Sequence, residues 1–244
     1  MCTLVVAHRF FPGAPLVVAA NRDEFLARKS SGPKVHSGYP RVLMPRDEVA
    51  GGTWLGVNET GLFVGITNRA GSAPDPSRRS RGSLVTQALK AASASQLHRQ
   101  LGTMDAGEFN PFHLLYADGQ DAFVTWSSGE RIAQYSVAPG VHIVTERSLG
   151  ADDRGRTELL ERLWRDRVSQ KPASVKSLRE LLVQHGAEDA PMSGSCIHAD
   201  AFGYGTRSSF IYVGAKEPTA AWCEGHPCTG SFGDLGALLG ELKL

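Results

Sequence analysis

The sequence predicts an α+β protein built on antiparallel sheets, and two features of its 244 residues support that class. Short apolar segments follow one another through tight turns, which indicates hairpins rather than the helical crossovers that parallel strands need. Segments with helical spacing lie between groups of strands and at the end of the chain. No linker and no internal repeat divides the chain, so we expect a single layered domain over residues 1–244.

The first part of the chain consists mainly of predicted strands. Apolar runs at residues 2–7 and 16–20 flank the turn sequence Phe11-Pro12-Gly13 and predict a hairpin. Residues 28–45 are rich in glycine, proline, serine and lysine, so we expect a long loop there.

The remaining elements are predicted from turn residues, caps and apolar spacing. A second hairpin joins residues 51–57 to 62–67, and Ser83 is predicted to cap the first helix. Later apolar runs predict strands, at residues 112–117, 122–126, 131–135, 141–145, 208–213 and 220–223. Apolar residues at helical spacing predict helices, at residues 84–89, 95–101, 159–168, 175–182 and 235–242.

Charge and hydropathy exclude several classes of partner. Hydrophobic residues make up 41% of the chain and the formal net charge is +1, so no basic surplus suggests nucleic acid. The apolar stretches at 4–7 and 16–20 are too short for a membrane span and lack the layout of a signal peptide. We therefore expect a cytoplasmic protein, and composition leaves the oligomeric state open.

The four cysteines do not form a disulfide framework in a chain of this size. Three of them lie near histidines, in Cys196-Ile197-His198 and in the segment 223–228 that contains Cys223, His226 and Cys228. Thiolate and imidazole are the ligands that zinc prefers, but neither segment has standard finger or ribbon spacing. We predict no metal site, with zinc as the alternative to a buried small residue and two turn residues.

The remaining cysteine, Cys2, directly follows Met1, and its small side chain permits removal of the methionine by an aminopeptidase. The mature chain would then begin with a residue that carries both a thiol and a free α-amine. Their ordinary pKa values are about 8.5 and about 7.7–8, so the neutral amine can accept the thiol proton. The pattern therefore predicts a nucleophile with its own base.

The tetrapeptide Asn21-Arg22-Asp23-Glu24 belongs to a set of motifs that carry a resemblance to a known family. The others are Met-Cys at 1–2, Gly-Gly-Thr-Trp-Leu-Gly at 51–56, the segment 62–68, Arg-Gly-Ser-Leu-Val at 81–85, Asn-Pro-Phe-His-Leu-Leu at 110–115 and Tyr-Gly-Thr-Arg-Ser-Ser at 204–209. In these motifs the chain resembles the NRDE family, also called the transport and Golgi organization protein two family. That family is similar to the N-terminal-nucleophile hydrolases of the choloylglycine and penicillin V acylase branch. The resemblance implies a four-layer αββα sandwich with Cys2 at the end of a central strand.

The acylase branch also implies roles for individual residues of this chain. Cys2 would attack a carbonyl group, its own α-amine would relay the proton, and Asp23 would hold that amine in place. Asn68 would donate to the oxyanion, an interaction worth about 2.7–4 kcal/mol in comparable sites. Arg207 would bring a positive charge near the thiolate and lower its pKa.

Four further residues are expected to contact the substrate: Asn21, Arg22, Trp54 and Glu146. Trp54 follows two glycines and suits a core or rim aromatic as well as a substrate-stacking one. Glu146 stands where most members of the family keep an oxyanion asparagine, and an ionised carboxylate repels an oxyanion instead of donating to it. Ala20 replaces the arginine that precedes the strand asparagine in the acylases, and Arg22 can compensate from a neighbouring position.

Two functions of different classes follow from the resemblance. The first is a Cys2-dependent hydrolase or acyltransferase that acts on a small-molecule amide or thioester and requires no cofactor. The second is a non-catalytic carrier of haem, or of a lipid or acyl-CoA, in line with the haem trafficking, secretion and Golgi organisation associated with the eukaryotic branch. Glu146 favours the carrier, in which the Cys2 thiolate would ligate haem. For a third class, a structural or interaction protein, the sequence offers no positive feature.

Overall fold

The computed structural model describes residues 2–71, 73–149, 155–187 and 190–244. The described strands are β1 (Cys2–Phe11), β2 (Ala14–Phe25), β3 (Ser30–His36), β4 (Val42–Asp47), β5 (Leu55–Asn58), β6 (Phe63–Asn68), β7 (Phe112–Ala117), β8 (Ala122–Ser127), β9 (Ile132–Ser136), β10 (Gly140–Val144), β11 (His198–Ala199), β12 (Tyr204–Gly214), β13 (Thr219–Glu224) and β14 (Gly233–Asp234). The α-helices are α1 (Arg81–Ala88), α2 (Ala94–Leu101), α3 (Gly155–Leu163), α4 (Val175–Leu182) and α5 (Gly236–Leu242), and a π-helical turn, Trp164–Val168, extends α3.

The strands form two antiparallel sheets. The first has the order β10-β1-β2-β12-β13-β14, with β11 paired to β12, and the second runs in chain order from β3 to β9. The predicted hairpin of β1 and β2 lies inside the first sheet, and its turn contains Gly13, whose φ of 76° suits a residue without a Cβ. In this hairpin Cys2 lies opposite Arg22.

Successive residues of β1 and β2 are buried alternately in two different hydrophobic cores. Val6 and Val18 contribute to the core shared with the second sheet, whereas Val5 and Val17 pack with residues of α3 and α4. Helices α1 and α2 pack on the second sheet, against β6 and β8. The layers are therefore helices, sheet, sheet and helices, which is the αββα sandwich that the resemblance implies.

A glycine permits the two sheets to approach closely near the start of β1. A Cβ added to Gly65 of β6 would lie 3.0 Å from Cδ1 of Leu4 and 2.9 Å from the ring of Phe63. A larger residue would therefore push the sheets apart close to Cys2.

Two local predictions were wrong. The segment predicted as a loop at 28–45 contains β3 and the first four residues of β4. Strand β3 was missed because it is an edge strand whose half-exposed residues tolerate Gly, Pro and Lys. The first helix is capped by Ser80, whose Oγ accepts a hydrogen bond from the Gly82 amide, while the Ser83 hydroxyl donates to the Ser80 carbonyl. None of the described helices is long and apolar enough to cross a membrane.

Candidate active site

Cys2, the first residue of β1, lines a cavity of about 670 Å³. Because directly paired residues of neighbouring strands point to the same face, Cys2 and Arg22 both project to the side of the second sheet. That side carries Trp54 and Asn68, and residues 74–82 form another wall of the cavity. The half-buried thiol is therefore open to a small molecule.

Arg22 is held rigidly beside the thiol. Its guanidinium carbon stacks 4.2 Å from the ring centroid of Trp54, and Nη2 lies 3.2 Å from Oδ2 of Asp47 and 3.8 Å from Oε2 of Glu24. Only 4% of the Arg22 side chain is exposed, so the cation–π contact and the ion pairs operate with little solvent screening. Burial favours the neutral acid at Asp47, yet hydrogen bonds from Arg28 and two backbone amides bring its pKa below the ordinary value, so it stays ionised.

Burial raises the pKa of the Cys2 thiol, and the Asp23 and Glu24 carboxylates raise it further. The positive charge of Arg22 acts in the opposite direction without reversing the shift. The thiol is consequently protonated at neutral pH, so an attack by sulfur requires a base within reach.

Asp23 lies on β2 one residue beyond the pair formed by Cys2 and Arg22, and it also lines the cavity. Its Oδ1 accepts a hydrogen bond of 2.6 Å from the Thr206 hydroxyl, and its Oδ2 lies 3.8 Å from Nη1 of Arg156. Burial raises the pKa of Asp23, and Arg156 and Thr206 oppose the rise only in part. These two contacts fix the carboxyl group one residue beyond the Cys2–Arg22 pair, and its role in holding the amine stays a prediction.

Asn68 ends β6 and lines the cavity with an exposed side chain. Within the described part of the chain, its carboxamide makes no hydrogen bond, so it can donate to a ligand. Arg81, the first residue of α1, lines the same cavity and donates to the Pro111 carbonyl at 3.0 Å. Burial lowers the pKa of Arg81, and the negative charge that Cys2 can carry raises it. Arg81 belongs to one of the family motifs and is not among the predicted site residues, although the sequence of residues 78–81 suits an exposed loop that could meet an anionic substrate group.

Arg207 lies outside this cavity. The register of β12 against β2 shifts between Thr206 and Ser208, so Arg207 is the extra residue of a β-bulge. Its guanidinium donates to the Leu26 carbonyl and lies 3.7 Å from Oε1 of Glu224. The structure places Arg22 and Arg81, rather than Arg207, beside the Cys2 thiol.

Glu146 also lies away from the cavity lining. Its Oε2 is 3.4 Å from Nη1 of Arg156, and the same nitrogen lies 3.8 Å from Oδ2 of Asp23 and donates to the Thr3 hydroxyl at 3.4 Å. Sequence reasoning missed Arg156. The available signal was Glu146, a carboxylate that follows a predicted strand and therefore needs a positive partner if it is buried. The sequence pattern does not indicate which arginine supplies that charge.

Asn21 makes structural contacts instead of lining the cavity. Its Nδ2 donates to the carbonyls of Leu182 and Ser195 at 2.9 and 2.7 Å, and its Oδ1 accepts from the Ser209 hydroxyl at 2.6 Å. The side chain thus ties β2 to the end of α4 and to the segment that precedes β11. Among the residues expected to contact the substrate, Arg22 and Trp54 line the cavity.

The architecture is that of the N-terminal-nucleophile hydrolases. The chain is similar to a variant of the conjugated bile acid hydrolase from Clostridium perfringens, with a TM-score of 0.60 and 11% identity over 97% of this chain and 93% of that one. It is also similar to penicillin V acylase from Agrobacterium tumefaciens, with a TM-score of 0.53 and 13% identity over 92% of this chain and 83% of that one. At these identities the likeness establishes the fold alone.

The family is established by sequence. The profile of the Transport and Golgi organisation 2 family matches residues 1–226, and the chain belongs to that family. A human relative, the Transport and Golgi organization protein 2 homolog of Homo sapiens, is 27% identical over 231 residues, which cover 81% of each chain.

Proposed function

We propose that this protein is a Cys2-dependent hydrolase or acyltransferase acting on a small-molecule amide or thioester. The observation that carries the proposal is that Cys2, at the start of a strand, lines a cavity of about 670 Å³ together with buried Asp23 and with Asn68. The similarity of the fold to a penicillin acylase and a bile acid hydrolase adds support.

The proposed reaction starts with removal of Met1, which frees the α-amine of Cys2. The amine takes the proton from Sγ as sulfur bonds to the carbonyl carbon, and the Asn68 carboxamide donates to the resulting oxyanion. Collapse breaks the C–N or C–S bond, and the α-ammonium returns the proton to the leaving amine or thiol. Water, or a second nucleophile in an acyl transfer, then attacks the thioester on Cys2 and releases the acyl group. Asp23 serves as a positioning residue for the amine.

The charges of the cavity favour a substrate with an anionic group. Arg81 makes no ion pair within 4.0 Å among the described residues, and its Nη1 donates to the Pro111 carbonyl. A half-buried guanidinium in this state is a suitable partner for a carboxylate or phosphate oxygen. Trp54, which is 8% exposed and stacked on Arg22, offers an apolar surface to the uncharged part of the substrate.

The test is intact mass spectrometry of the purified protein before and after exposure to a panel of amide and thioester acyl donors. We expect a mass that lacks Met1 and an acyl adduct that disappears in Cys2→Ala but persists in Cys223→Ser, a matched cysteine control outside the cavity. Retention of Met1, or an adduct that survives Cys2→Ala, would exclude the mechanism.

A carrier of haem or acyl-CoA is the second candidate. It is favoured by the wall that contains Arg78, Arg79 and Arg81, which suits propionates or phosphates, and by the lack of a carboxamide at Glu146. Here Cys2 would ligate haem iron, or the cavity would hold the acyl-CoA without cleaving it. Absorbance titration with haem tests the haem form: a Soret shift at micromolar protein that Cys2→Ala removes would support it, and an unchanged spectrum would count against it.

A further inference from the structure

A second group of chemically active side chains lies away from the cavity. It consists of His185, Cys196, His198 and Cys228, which we call the Cys–His cluster. These residues come from three separate segments: the chain after α4, the approach to β11 with its first residue, and the turn after β13. One ligand atom from each residue falls within 4.8 Å of the other three.

The spacing of these atoms suits a small tetrahedral ion. Sγ of Cys196 lies 3.6 Å from Nε2 of His198, which lies 3.1 Å from Sγ of Cys228. For Zn–S bonds of about 2.3 Å and Zn–N bonds of about 2.0–2.1 Å, the edges of a tetrahedron are about 3.3–3.8 Å. The two pairs just described need movements of a few tenths of an ångström to reach tetrahedral spacing. Pairs near the upper limit of 4.8 Å must move closer together.

We propose that the Cys–His cluster binds one zinc ion. Two thiolates and two imidazoles form a donor set that zinc prefers, and four protein ligands leave no position open for a substrate. The site is therefore structural rather than catalytic, and it stands independently of the function proposed for Cys2. Binding displaces the two thiol protons, so that the thiolates balance the charge of the ion.

The surroundings of the cluster support a metal site over a chance contact. Both cysteines are free, and Cys196 is 1% exposed, with its Sγ 3.6 Å from the His198 imidazole. The ring of His226 stacks on His198 at a centroid distance of 3.9 Å, which restrains the orientation of that ligand. Cys223, by contrast, is buried outside the cluster, and its Sγ contacts the Glu224 carbonyl.

The zinc site would act on the candidate active site through the backbone that joins its ligands. The Ile197 amide, between two ligands, donates to the Thr206 hydroxyl at 2.8 Å, and that hydroxyl donates to Asp23 at 2.6 Å. On the other side, the Ser195 carbonyl accepts from Asn21. An ion that pins residues 196–198 therefore also holds the hydrogen-bond partner of Asp23 in place.

The experiment uses the full chain in a Cys2→Ala background, so that the cavity thiol cannot bind metal. Elemental analysis of the purified protein is expected to show zinc near one ion per chain. Chelator-treated protein is then titrated with Co²⁺, and we expect the charge-transfer band of a cobalt thiolate, saturation at a one-to-one ratio and displacement by Zn²⁺. These readouts do not depend on activity, so they are separate from the test of the proposed function.

Two variants and one control identify the ligands. Cys228→Ser should lose about half of the thiolate band, because one of two sulfur ligands is gone. His185→Asn changes an exposed ligand with little risk to folding, and its affinity should fall by more than about 10-fold, the lower end of the loss seen for outer partners of metal ligands. Cys223→Ser should bind as the parent does.

Three results would overturn the proposal. The first is equal metal binding by the parent and both ligand variants, the second is a cobalt spectrum without the thiolate band, and the third is a Cys196–Cys228 disulfide in protein purified without oxygen.

Discussion

The buried guanidinium of Arg156 is expected to be a major determinant of stability. It lies between two carboxylates, with Nη1 3.4 Å from Glu146 and 3.8 Å from Asp23, and only 2% of its side chain is exposed. At an effective dielectric constant of about 20, these distances correspond to attractions of about 5 and about 4 kcal/mol. The cost of desolvating the three charges offsets much of that sum.

The substitution Arg156→Met keeps most of the side-chain volume and removes the charge. Asp23 and Glu146 then remain buried without this guanidinium, and removal of one member of a buried ion pair typically costs about 3–5 kcal/mol. The double variant Glu146→Gln with Arg156→Met removes one of the two carboxylate charges and should recover part of that loss. Urea unfolding followed by tryptophan fluorescence gives the free energies of unfolding for the cycle.

The pH dependence of this loss provides a second readout. Arg156 lowers the pKa of Asp23, so its removal leaves burial to raise that pKa further. A carboxyl group whose pKa is higher in the folded state keeps its proton there, while the unfolded chain releases it above about pH 3.9. Folding stability of the variant should therefore fall, relative to the parent, as pH rises from 4 to 7.

Either of two results would refute this reasoning. One is an Arg156→Met protein within about 0.5 kcal/mol of the parent, the range expected for a surface substitution. The other is a double variant no more stable than Arg156→Met, since removal of one carboxylate charge should recover part of the loss.

Three further predictions concern the cavity and its support. Asn68→Ala should lower kcat by about 10²–10³-fold with little change in KM, because the Asn68 amide is expected to donate only to the oxyanion. Steady-state kinetics measure both parameters. Arg207→Met, which changes a residue outside the cavity, is the control and should leave them unchanged. The rate at which iodoacetamide alkylates Cys2, followed by peptide mass mapping, should rise with pH around a midpoint above that of a free cysteine, because burial raises the pKa of the thiol. Arg22→Met should move this midpoint higher. A midpoint below the free-thiol value would contradict the effect of burial. Asn21→Ala should lower the free energy of unfolding by about 1–3 kcal/mol, because buried carbonyls lose their donor, whereas a change in KM alone would indicate the predicted substrate contact instead.

The features that the sequence predicted correctly are local ones. The hairpin of β1 and β2 follows from two apolar runs and a turn, and its register alone brings Cys2 opposite Arg22. Strand β7 was predicted with the bounds that it has, because its apolar residues are bounded by turn residues. Strand β3 was missed because pairing at a sheet edge demands little of the side chains.

The positions of the site residues needed more than local pattern. Alternation along β2 places Arg22 in the cavity and turns Asn21 towards α4, and which face is which depends on where the second sheet packs. Arg207 was expected near the Cys2 thiolate, but it is the extra residue of a β-bulge and lies outside the cavity. An extra residue in one strand of a pair leaves no reliable signal in a single sequence.

By itself, the sequence predicted an α+β class with antiparallel sheets and a cysteine nucleophile candidate, since turns and apolar periodicity are properties of neighbouring residues. Its motifs identified the family, and the resemblance to that family implied the four layers. Only the tertiary structure decided which charges meet. It joined Arg156 to Glu146 and Asp23, placed Arg81 instead of Arg207 near Cys2, and gathered the Cys–His cluster from three segments. Ion pairs and ligand sets of this kind depend on distances between segments that lie far apart in the chain, and packing of the sheets and helices sets those distances.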